Sequence, residues 1–165
     1  MGFCYFNNIA IAALAARARG VASVVVWDFD AHHGNGTEAI LHNVPGTYFV
    51  SIHQLPGWPG SGGSSFDNVR NFSVAPYAAA EEHLGLLAES WQAVLLFKPE
   101  LVLVSAGFDA YVGDPITQMS LREEDFATLG RWIGESRLPA AAIMEGGYAR
   151  ELPELVMKFL TAWER

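Results

Sequence analysis

The sequence comprises 165 residues, of which 51 % are hydrophobic and 17 % charged, a composition typical of one globular domain and not of a disordered or fibrous chain. Lys and Arg number 10 against 18 Asp and Glu, and the formal net charge of −8 argues against general nucleic-acid binding, which needs clustered basic side chains. The single cysteine, Cys4, excludes an internal disulfide framework. No apolar run is long enough to span a bilayer, and none follows a basic segment as a signal peptide would. We therefore expect a cytoplasmic protein without a signal peptide.

Helix and strand patterns alternate along the chain. Asn7 or Asn8 caps a predicted helix that ends at Gly20. The continuous β-branched run from Val21 to Trp27 predicts a strand buried on both faces of a parallel sheet. The alternation continues with a helical turn at 37–42, strands at 48–52, 101–105 and 140–144, and helices at 78–97, 120–137 and 149–163.

The order of these elements predicts an α/β fold. Ser120 with Glu123 forms a predicted capping box for the helix 120–137, and Pro153 fits only the first turn of the last helix. Two irregular loops, at 55–67 and 107–119, separate strands from helices. Right-handed crossovers place helices on both faces of a parallel sheet, and we expect the whole chain, 1–165, to belong to one domain.

Ionisable side chains cluster where the predicted strands end. Asp28, Asp30 and His32 follow the first strand, Asp109 follows the third, and a Glu-Gly-Gly-Tyr segment at 145–148 follows the fourth. The carboxyl ends of parallel strands lie at one edge of the sheet, where α/β proteins bind their ligands. The sequence therefore predicts one polar crevice at that edge.

Asp30, His32 and Asp109 form a candidate metal site. Side chains at i and i+2 of an extended segment point the same way, so Asp30 and His32 can reach one cation. One imidazole and two carboxylates suit Zn²⁺ or Fe²⁺ and leave positions open for water and substrate. In the alternative interpretation, Asp28 and Asp30 cap backbone amides and His32 is a buried, hydrogen-bonded histidine.

Five motifs, in this order, resemble those of the histone deacetylase superfamily, which includes bacterial acetylpolyamine amidohydrolases and acetoin utilisation proteins. The motifs are Gly-Phe-Cys-Tyr-Phe-Asn-Asn at 2–8, Asp-Phe-Asp-Ala-His-His-Gly-Asn-Gly-Thr at 28–37, Ser-Ala-Gly-Phe-Asp-Ala at 105–110, Gly-Asp-Pro at 113–115 and Glu-Gly-Gly-Tyr at 145–148. The resemblance implies an arginase-like or deacetylase-like α/β fold and a metal-dependent amide hydrolase. It implies an acylated amine as the substrate, either acetyl-lysine or an acetylpolyamine, whereas no pattern indicates an oligomeric state.

The resemblance also implies roles for individual residues around the reacting group. Asp30, His32 and Asp109 correspond to the catalytic zinc ligands of the family. Tyr148 corresponds to its transition-state tyrosine, whose hydroxyl donates a hydrogen bond to the developing oxyanion. Without the resemblance, Tyr148 would be interpreted as a core tyrosine that follows a strand-to-helix turn.

Further correspondences concern the substrate tunnel and a second cation. Gly2, Phe3 and Trp58 match the wall of the family's acyl-lysine tunnel, although each aromatic taken singly is more often a core residue. Asp28 and Ser51 fall where the family holds a structural monovalent cation, usually K⁺, beside the zinc.

The family's tandem histidine pair, which supplies the general base and acid, has no counterpart upstream of the first motif. Only Met1 precedes Gly2, and the one His-His pair in the sequence, His32–His33, belongs to the metal loop. We therefore expect the chain to be the C-terminal portion of the domain, with its N-terminal part missing and with poor or absent turnover. Two alternatives stay open: a metal-binding or structural fragment without activity, and a Mg²⁺-dependent phosphoryl-transfer enzyme, for which a glycine-rich phosphate loop is missing.

Four other features receive structural interpretations. His33 is expected to brace its loop, and His53 to be a hydrogen-bonded histidine near a strand end and not a ligand. Cys4 is expected to be a buried structural thiol, because no Cys-His-Asn pattern supports a nucleophile. Asp114 with Pro115 is expected to shape the second irregular loop.

Overall fold

The computed structural model describes residues 4–164, which form a five-stranded parallel sheet with helices on both faces. In chain order the elements are α1 (Asn8–Ala18), β1 (Val24–Asp28), α2 (Asn35–Leu41), β2 (Thr47–Gln54), β3 (Val69–Val74), α3 (Ala80–Phe97), β4 (Leu101–Ala106), α4 (Glu123–Ser136), β5 (Ala140–Met144) and α5 (Leu152–Trp163). The strands stand in the order β3-β2-β1-β4-β5, and every neighbouring pair is parallel. The predicted α/β fold is confirmed.

The central strand, β1, explains the continuous apolar run in the sequence. All five of its residues are buried, since it pairs with β2 on one side and β4 on the other. The register places Asp28, the last residue of β1, beside Ser51 of β2 and Ser105 of β4. The carboxyl ends of these strands therefore bring polar residues together at one edge of the sheet.

Two apolar cores hold the helices against the sheet. On one face, Ile9 of α1 and Leu41 of α2 pack with alternate residues of β1 and β2, including Val26. On the other face, α3, α4 and α5 form a layer that we call the helical layer, whose core includes Trp91 and Phe126. Burial of these side chains is the main source of stability for such a layered domain.

The predicted ends of α1 are confirmed. The Oδ1 atom of Asn7 accepts a hydrogen bond from the N–H of Ala10 at 2.9 Å, which is the geometry of an N-cap. Gly20 follows the helix with φ +94°, a conformation that glycine adopts at little steric cost. Pro153 lies in the first turn of α5, as its missing N–H requires.

Two expectations from the sequence are wrong. The sequence predicted four strands, but β3 adds a fifth at the sheet edge, where partial exposure lets polar residues interrupt the apolar pattern. The predicted capping box of Ser120 with Glu123 does not form, because α4 begins at Glu123 itself. Instead, the carboxylate of Asp125 accepts the N–H of Arg122 at 2.7 Å, and the buried Oγ of Ser120 makes no hydrogen bond.

The helices α4 and α5 pack backbone against backbone. A Cβ at Gly130 would overlap the carbonyl oxygen of Phe159, and one at Gly134 would overlap that of Trp163. Glycine at these two positions, four residues apart on one face of α4, therefore permits the close approach of α5. Among the helices in the described part of the chain, none combines the length and hydrophobicity that a membrane crossing requires.

Candidate metal centre and active site

The carboxyl ends of β1 and β4 bring the predicted metal ligands together. Asp30 and His32 lie two and four residues beyond the end of β1, and Asp109 lies three residues beyond the end of β4. One donor atom from each of these three residues lies within 4.8 Å of the other two. The structure thus assembles the cluster that the sequence predicted from an i, i+2 pair and a distant aspartate.

The imidazole of His32 stands between the two carboxylates. Its Nδ1 atom lies 3.1 Å from Oδ1 of Asp30 and 2.9 Å from Oδ2 of Asp109. Asp109 is fully buried, whereas His32 keeps 28 % of its side chain exposed. The three residues therefore form a group that is closed on the protein side and open toward solvent on the His32 side.

Backbone N–H groups fix both carboxylates. Asp30 accepts the N–H of His32 on Oδ1 at 2.8 Å and the N–H of Gly146 on Oδ2 at 2.9 Å. Asp109 accepts the N–H of Ala31 on Oδ1 at 2.8 Å. Segments from β1, β4 and β5 are joined through these bonds, so the position of each carboxylate is set by rigid strand ends.

Glycines let the backbone approach these carboxylates closely. A Cβ at Gly107 would lie 2.5 Å from Cα of Asp30, and one at Gly146 would lie 2.7 Å from Oδ2 of Asp30 and nearer still to Asp109. Neither position can accept a larger residue without moving a ligand. Glycine is therefore required at both 107 and 146.

The clustered charges perturb one another. Hydrogen bonds to Asp109 and Asp30 raise the pKa of His32 to about 10. Burial, followed by repulsion from Asp30, raises the pKa of Asp109 to about 6. Burial and the charge of Asp30 likewise raise the pKa of Glu145. A concentration of negative charge of this kind, in a partly closed crevice, marks a functional site.

The donor set fits a divalent metal. Oδ2 of Asp109 is buried and receives no backbone N–H within the described chain, and Nδ1 of His32 faces it at 2.9 Å, so a cation at this point would lie between a carboxylate oxygen and a ring nitrogen. His32 supplies a ring nitrogen at the same point, and one imidazole with two carboxylates is a ligand set typical of zinc or iron. A metal would replace the proton on His32, because a ligating imidazole is neutral.

Asp28 and Ser51 lie next to this group, at paired positions of β1 and β2. Asp28 is 2 % exposed, and burial together with the charge of Asp30 raises the pKa of Asp28 well above its usual value. Oδ1 of Asp28 accepts the N–H of Asp30 at 3.1 Å, and Oγ of Ser51 lies 2.9 Å from Nδ1 of His53. A buried carboxylate without a basic side chain beside it suits a bound cation.

Asp30 and His32 line a cavity of about 970 Å³. Side chains from five separate segments contribute to its lining: Cys4, Asp30, His32, Trp58, Ile116 and Tyr148. Trp58 and Ile116 are 68 % and 46 % exposed, so they form the outer, apolar part of the lining. A polar base with an apolar entrance is the usual construction of a small-molecule site.

Tyr148 follows Gly147, whose φ of +139° turns the chain sharply after β5. The N–H of Tyr148 donates to Oδ2 of Asp114 at 2.9 Å, and the N–H of Ile116 donates to Oδ1 of the same carboxylate at 3.0 Å. Asp114 is 7 % exposed. The expectation that Asp114 shapes its loop is confirmed, and its carboxylate also holds the segment that carries Tyr148.

The neighbouring histidines have the structural roles expected of them. His33 lies 2.8 Å from Oγ of Ser61 and 3.0 Å from a carboxylate oxygen of Glu38, and so joins two loops. His53 bonds Ser51 and the carbonyl oxygen of Gly62, and burial lowers its pKa to about 4. The two rings are in contact at a centroid distance of 4.6 Å and are tilted by 46° to one another.

One expectation about the site is wrong, and two predicted tunnel residues lie outside the described part of the chain. Cys4 is exposed and lines the cavity, because it precedes α1 in a segment that no helix covers; it is not a buried thiol. Gly2 and Phe3 lie outside the described residues, so their predicted place in the substrate tunnel stays a prediction. The sequence did not single out Ile116, whose only signal was its position directly after Asp114-Pro115 in an irregular loop.

Comparisons with known proteins agree with this geometry. The family model of the histone deacetylase domain matches residues 1–162. A probable deacetylase of Methanothermobacter thermautotrophicus is 41 % identical over 162 residues, which are 92 % of this chain and 49 % of that protein. An acetylpolyamine amidohydrolase of Mycoplana ramosa is 32 % identical, and the match covers 93 % of this chain and 48 % of the relative.

A solved structure shows the same fold. The acetylpolyamine aminohydrolase from Burkholderia pseudomallei superposes with a TM-score of 0.91 at 32 % identity, covering 98 % of this chain and 50 % of the other. The chain spans about half the length of the relatives it matches. With the family model matched along almost its whole length, the chain belongs to the histone deacetylase domain family.

Proposed function

We propose that this chain carries the metal centre of a zinc-dependent deacetylase that removes acyl groups from acylated amines, either acetyl-lysine or an acetylpolyamine. The observation that carries the proposal is the three-residue donor cluster, in which the buried Oδ2 of Asp109 faces Nδ1 of His32 at 2.9 Å and receives no backbone N–H within the described chain. The proposed ligands are Asp30, His32 through Nδ1, and Asp109. Fe²⁺ suits the same donors and is the alternative metal.

The chemistry of amide hydrolysis agrees with these residue types. A bound divalent metal lowers the pKa of water and polarises an amide carbonyl. Tyr148 lines the same cavity as the ligands, and its hydroxyl is proposed to donate a hydrogen bond to the oxyanion. Asp114 fixes the backbone of Tyr148, which limits the positions that this hydroxyl can reach. Binding of the acylated amine would orient its carbonyl between these groups.

The lining of the cavity supports a partly apolar substrate that is not an anion. Trp58 and Ile116 give its entrance an apolar lining, and the acidic groups at its base disfavour an anion. An acyl group on an aliphatic amine chain has both properties. The acetylpolyamine amidohydrolases among the relatives are the reason for including acetylpolyamines beside acetyl-lysine.

A monovalent cation is proposed to bind Asp28 and Ser51. Asp28 is a buried carboxylate with a raised pKa, and K⁺ would compensate its charge beside the metal group. The expected result is a higher melting temperature in KCl than in tetramethylammonium chloride of equal concentration. Equal melting temperatures for the wild type in the two salts would contradict the site.

An alternative function is metal binding without turnover. Of the histidines in the described chain, only His32 and His33 line the cavity, and His33 is held by Ser61 and Glu38. General acid and base groups typically contribute about 10²–10⁴-fold to rate. A chain without a second free imidazole near the reacting group would therefore bind metal and hydrolyse amides slowly or not at all.

The first experiment measures the metal. Purified protein is loaded with Zn²⁺ or, without oxygen, with Fe²⁺, and the bound metal is quantified after gel filtration. We expect one tightly bound metal per chain in the wild type and its loss in Asp30→Ala and Asp109→Ala. Glu135→Ala, which removes an exposed carboxylate from α4, is the matched control. Unchanged zinc stoichiometry in both ligand variants would refute the assignment.

The second experiment separates the deacetylase from the inactive metal protein. The zinc-loaded chain is assayed with acetyl-lysine peptides and acetylated polyamines. If the wild type turns over, Tyr148→Phe should keep its zinc and lose about 10²–10³-fold in kcat, as expected for removal of one oxyanion donor. Absence of turnover with full zinc occupancy would favour the alternative.

A further inference from the structure

The two apolar walls of the cavity stand on different loops, and one pair of side chains joins those loops. Trp58 lies in the loop after β2, and Ile116 lies in the loop between β4 and α4. Gln54 is the last residue of β2 and is 9 % exposed; Gln118 follows Ile116 by two residues. The site described above assigns no role to either glutamine.

The two glutamines make a two-point amide contact. Nε2 of Gln54 donates to Oε1 of Gln118 at 3.0 Å, and Oε1 of Gln54 accepts the backbone N–H of Gln118 at 2.8 Å. Nε2 of Gln54 also reaches the carbonyl oxygen of Pro56 at 3.4 Å. The carbonyl oxygen of Gln118 accepts the N–H of Tyr77 at 2.8 Å. One buried side chain therefore holds the base of the Trp58 loop and the end of the Ile116 loop at a fixed separation.

A second cavity adjoins the two apolar walls, and it explains why the amide contact matters. A second cavity, of about 340 Å³, is lined by Gln54 and Gln118 and also by three residues of the main cavity, His32, Trp58 and Ile116. These three residues therefore border both cavities. A side chain that borders empty space is not fixed by close packing and can move into that space. Hydrogen bonds that hold its loop are then needed to keep it in place.

We propose that Gln54 and Gln118 are positioning residues that set the distance between Trp58 and Ile116, and with it the width of substrate chain that the cavity accepts. The role in selecting substrates by width rests on the proposed function. The positioning of Trp58 and Ile116 by the two glutamines does not. Pre-ordering the two walls removes an entropic penalty from binding a slender chain. A chain that is too wide would have to break the amide pair.

The variants are designed to remove the amides and keep the shape. Gln54→Met loses all three hydrogen bonds of the Gln54 side chain. Gln118→Met keeps its backbone N–H and so loses only the bond accepted by its own side chain. We therefore expect Gln54→Met to have the larger effect and the double variant to be no worse than Gln54→Met alone. Gln92→Met, on the exposed side of α3, is the matched control.

Two readouts need no metal. Amide exchange at the N–H of Gln118 should become about tenfold faster in Gln54→Met, the size of effect expected for loss of one neutral hydrogen bond. In protein labelled with 5-fluorotryptophan, the fluorine resonance of Trp58, assigned with Trp58→Phe, should shift or broaden. The resonances of the buried Trp27 and Trp91 should stay in place, which a general loss of structure would not allow.

A third readout tests width in the zinc-loaded protein. Affinities are measured for two hydroxamic acids, which chelate zinc, one with a linear alkyl chain and one whose chain is branched several carbons from the chelating group, where it would pass Trp58 and Ile116. Gln54→Met should shift their affinity ratio toward the branched compound by roughly tenfold, the lower range for a one-methylene mismatch in an apolar pocket. Gln92→Met should leave the ratio unchanged.

The outcomes are distinguishable. Zinc that fails to bind the wild type would overturn the proposed function, while exchange and fluorine data would still decide whether the glutamines position the walls. Unchanged exchange and an unchanged Trp58 resonance in Gln54→Met would overturn the positioning role. Changes in both, with zinc bound and an unaltered affinity ratio, would overturn the role in substrate width.

Discussion

At the carboxyl edge of the sheet, Gly107 and Gly146 bring backbone against the carboxylates of Asp30 and Asp109. In the helical layer, Gly130 brings the backbone of α4 against a carbonyl of Phe159 in α5. Both regions use the absence of a Cβ to obtain a close approach. The groups that approach one another differ: backbone against two neighbouring carboxylates in the first region, and backbone against backbone in the second.

The difference has an energetic consequence. Close packing of α4 and α5 gains dispersion contacts and removes apolar surface from water, so this approach stabilises the fold by itself. Burial, followed by repulsion from Asp30, raises the pKa of Asp109 to about 6, and within the described chain no backbone N–H reaches its Oδ2. A bound cation would therefore stabilise this edge of the sheet, whereas the helical layer needs nothing beyond its own residues.

Gly107→Ala should have the largest effect on the metal site. The new Cβ would lie 2.5 Å from Cα of Asp30 and must displace that ligand. We expect zinc affinity to fall by about 100-fold, the upper range for changes around metal ligands, as measured by competition with a chelator. Gly85→Ala is the control, since a Cβ at Gly85 meets no atom within 4 Å. Equal affinities in the two variants would show that the glycine does not support the ligand.

Gly130→Ala should affect stability and leave the metal site intact. A Cβ there overlaps the carbonyl oxygen of Phe159, and overpacking of this kind typically costs about 1–3 kcal/mol, so we expect a loss near 3 kcal/mol in the free energy of unfolding. The measurement is urea denaturation, followed by zinc titration of the folded protein. A lowered zinc affinity in Gly130→Ala would contradict the independence of the two regions.

The sequence predicted the clustering of Asp30, His32 and Asp109 better than it predicted their surroundings. Asp30 and His32 follow a strongly apolar strand at i, i+2 spacing, and Asp109 follows another, so strand order alone placed them at one edge. The fifth strand, β3, escaped prediction because an edge strand carries polar residues on its exposed side. Gln118 escaped because its partner, Gln54, is 64 positions away in the sequence and neither residue belongs to a periodic pattern.

The helix cap at α4 shows the opposite case, in which a local pattern was present and misleading. Ser120 and Glu123 have the spacing of a capping box, but the N–H of Arg122 is satisfied by Asp125 instead. Three acidic residues in the first turn, Glu123 to Asp125, offered several registers, so the spacing alone did not select one. Residue spacing permits several capping arrangements, and the tertiary contacts of the helix determine which of them forms.

The pH dependence of stability should arise partly from the helical layer. Burial lowers the pKa of His83 on α3 from 6.5 to about 4, and its Nδ1 atom makes no hydrogen bond within the described chain. Its folded pKa lies below its unfolded pKa, so the unfolded chain binds the proton more readily. The contribution of His83 is therefore present above pH 6.5 and is lost as the pH falls toward 4.

The expected size of this contribution is about 2 kcal/mol between pH 7 and pH 5. His83→Leu, which cannot be protonated, should reduce the loss of unfolding free energy over that interval by this amount. The measurement is urea denaturation of both proteins at each pH. An identical pH dependence in the variant would place the acid sensitivity at the metal site and not in the helical layer.

Asp125→Ala should have the smallest effect and tests whether α4 is held by its cap or by its glycines. The variant removes the acceptor of the Arg122 N–H at the start of α4, a change that typically costs about 1 kcal/mol. We expect a loss of this size in urea denaturation and an unchanged zinc affinity, because Asp125 lies on the helical layer and outside the cavity lining. In the double variant with Gly130→Ala the two losses should add, since a cap and a helix crossing that share no partner act independently. A loss in Asp125→Ala as large as that in Gly130→Ala would mean that the first turn of α4, and not its close contact with α5, holds the helical layer together.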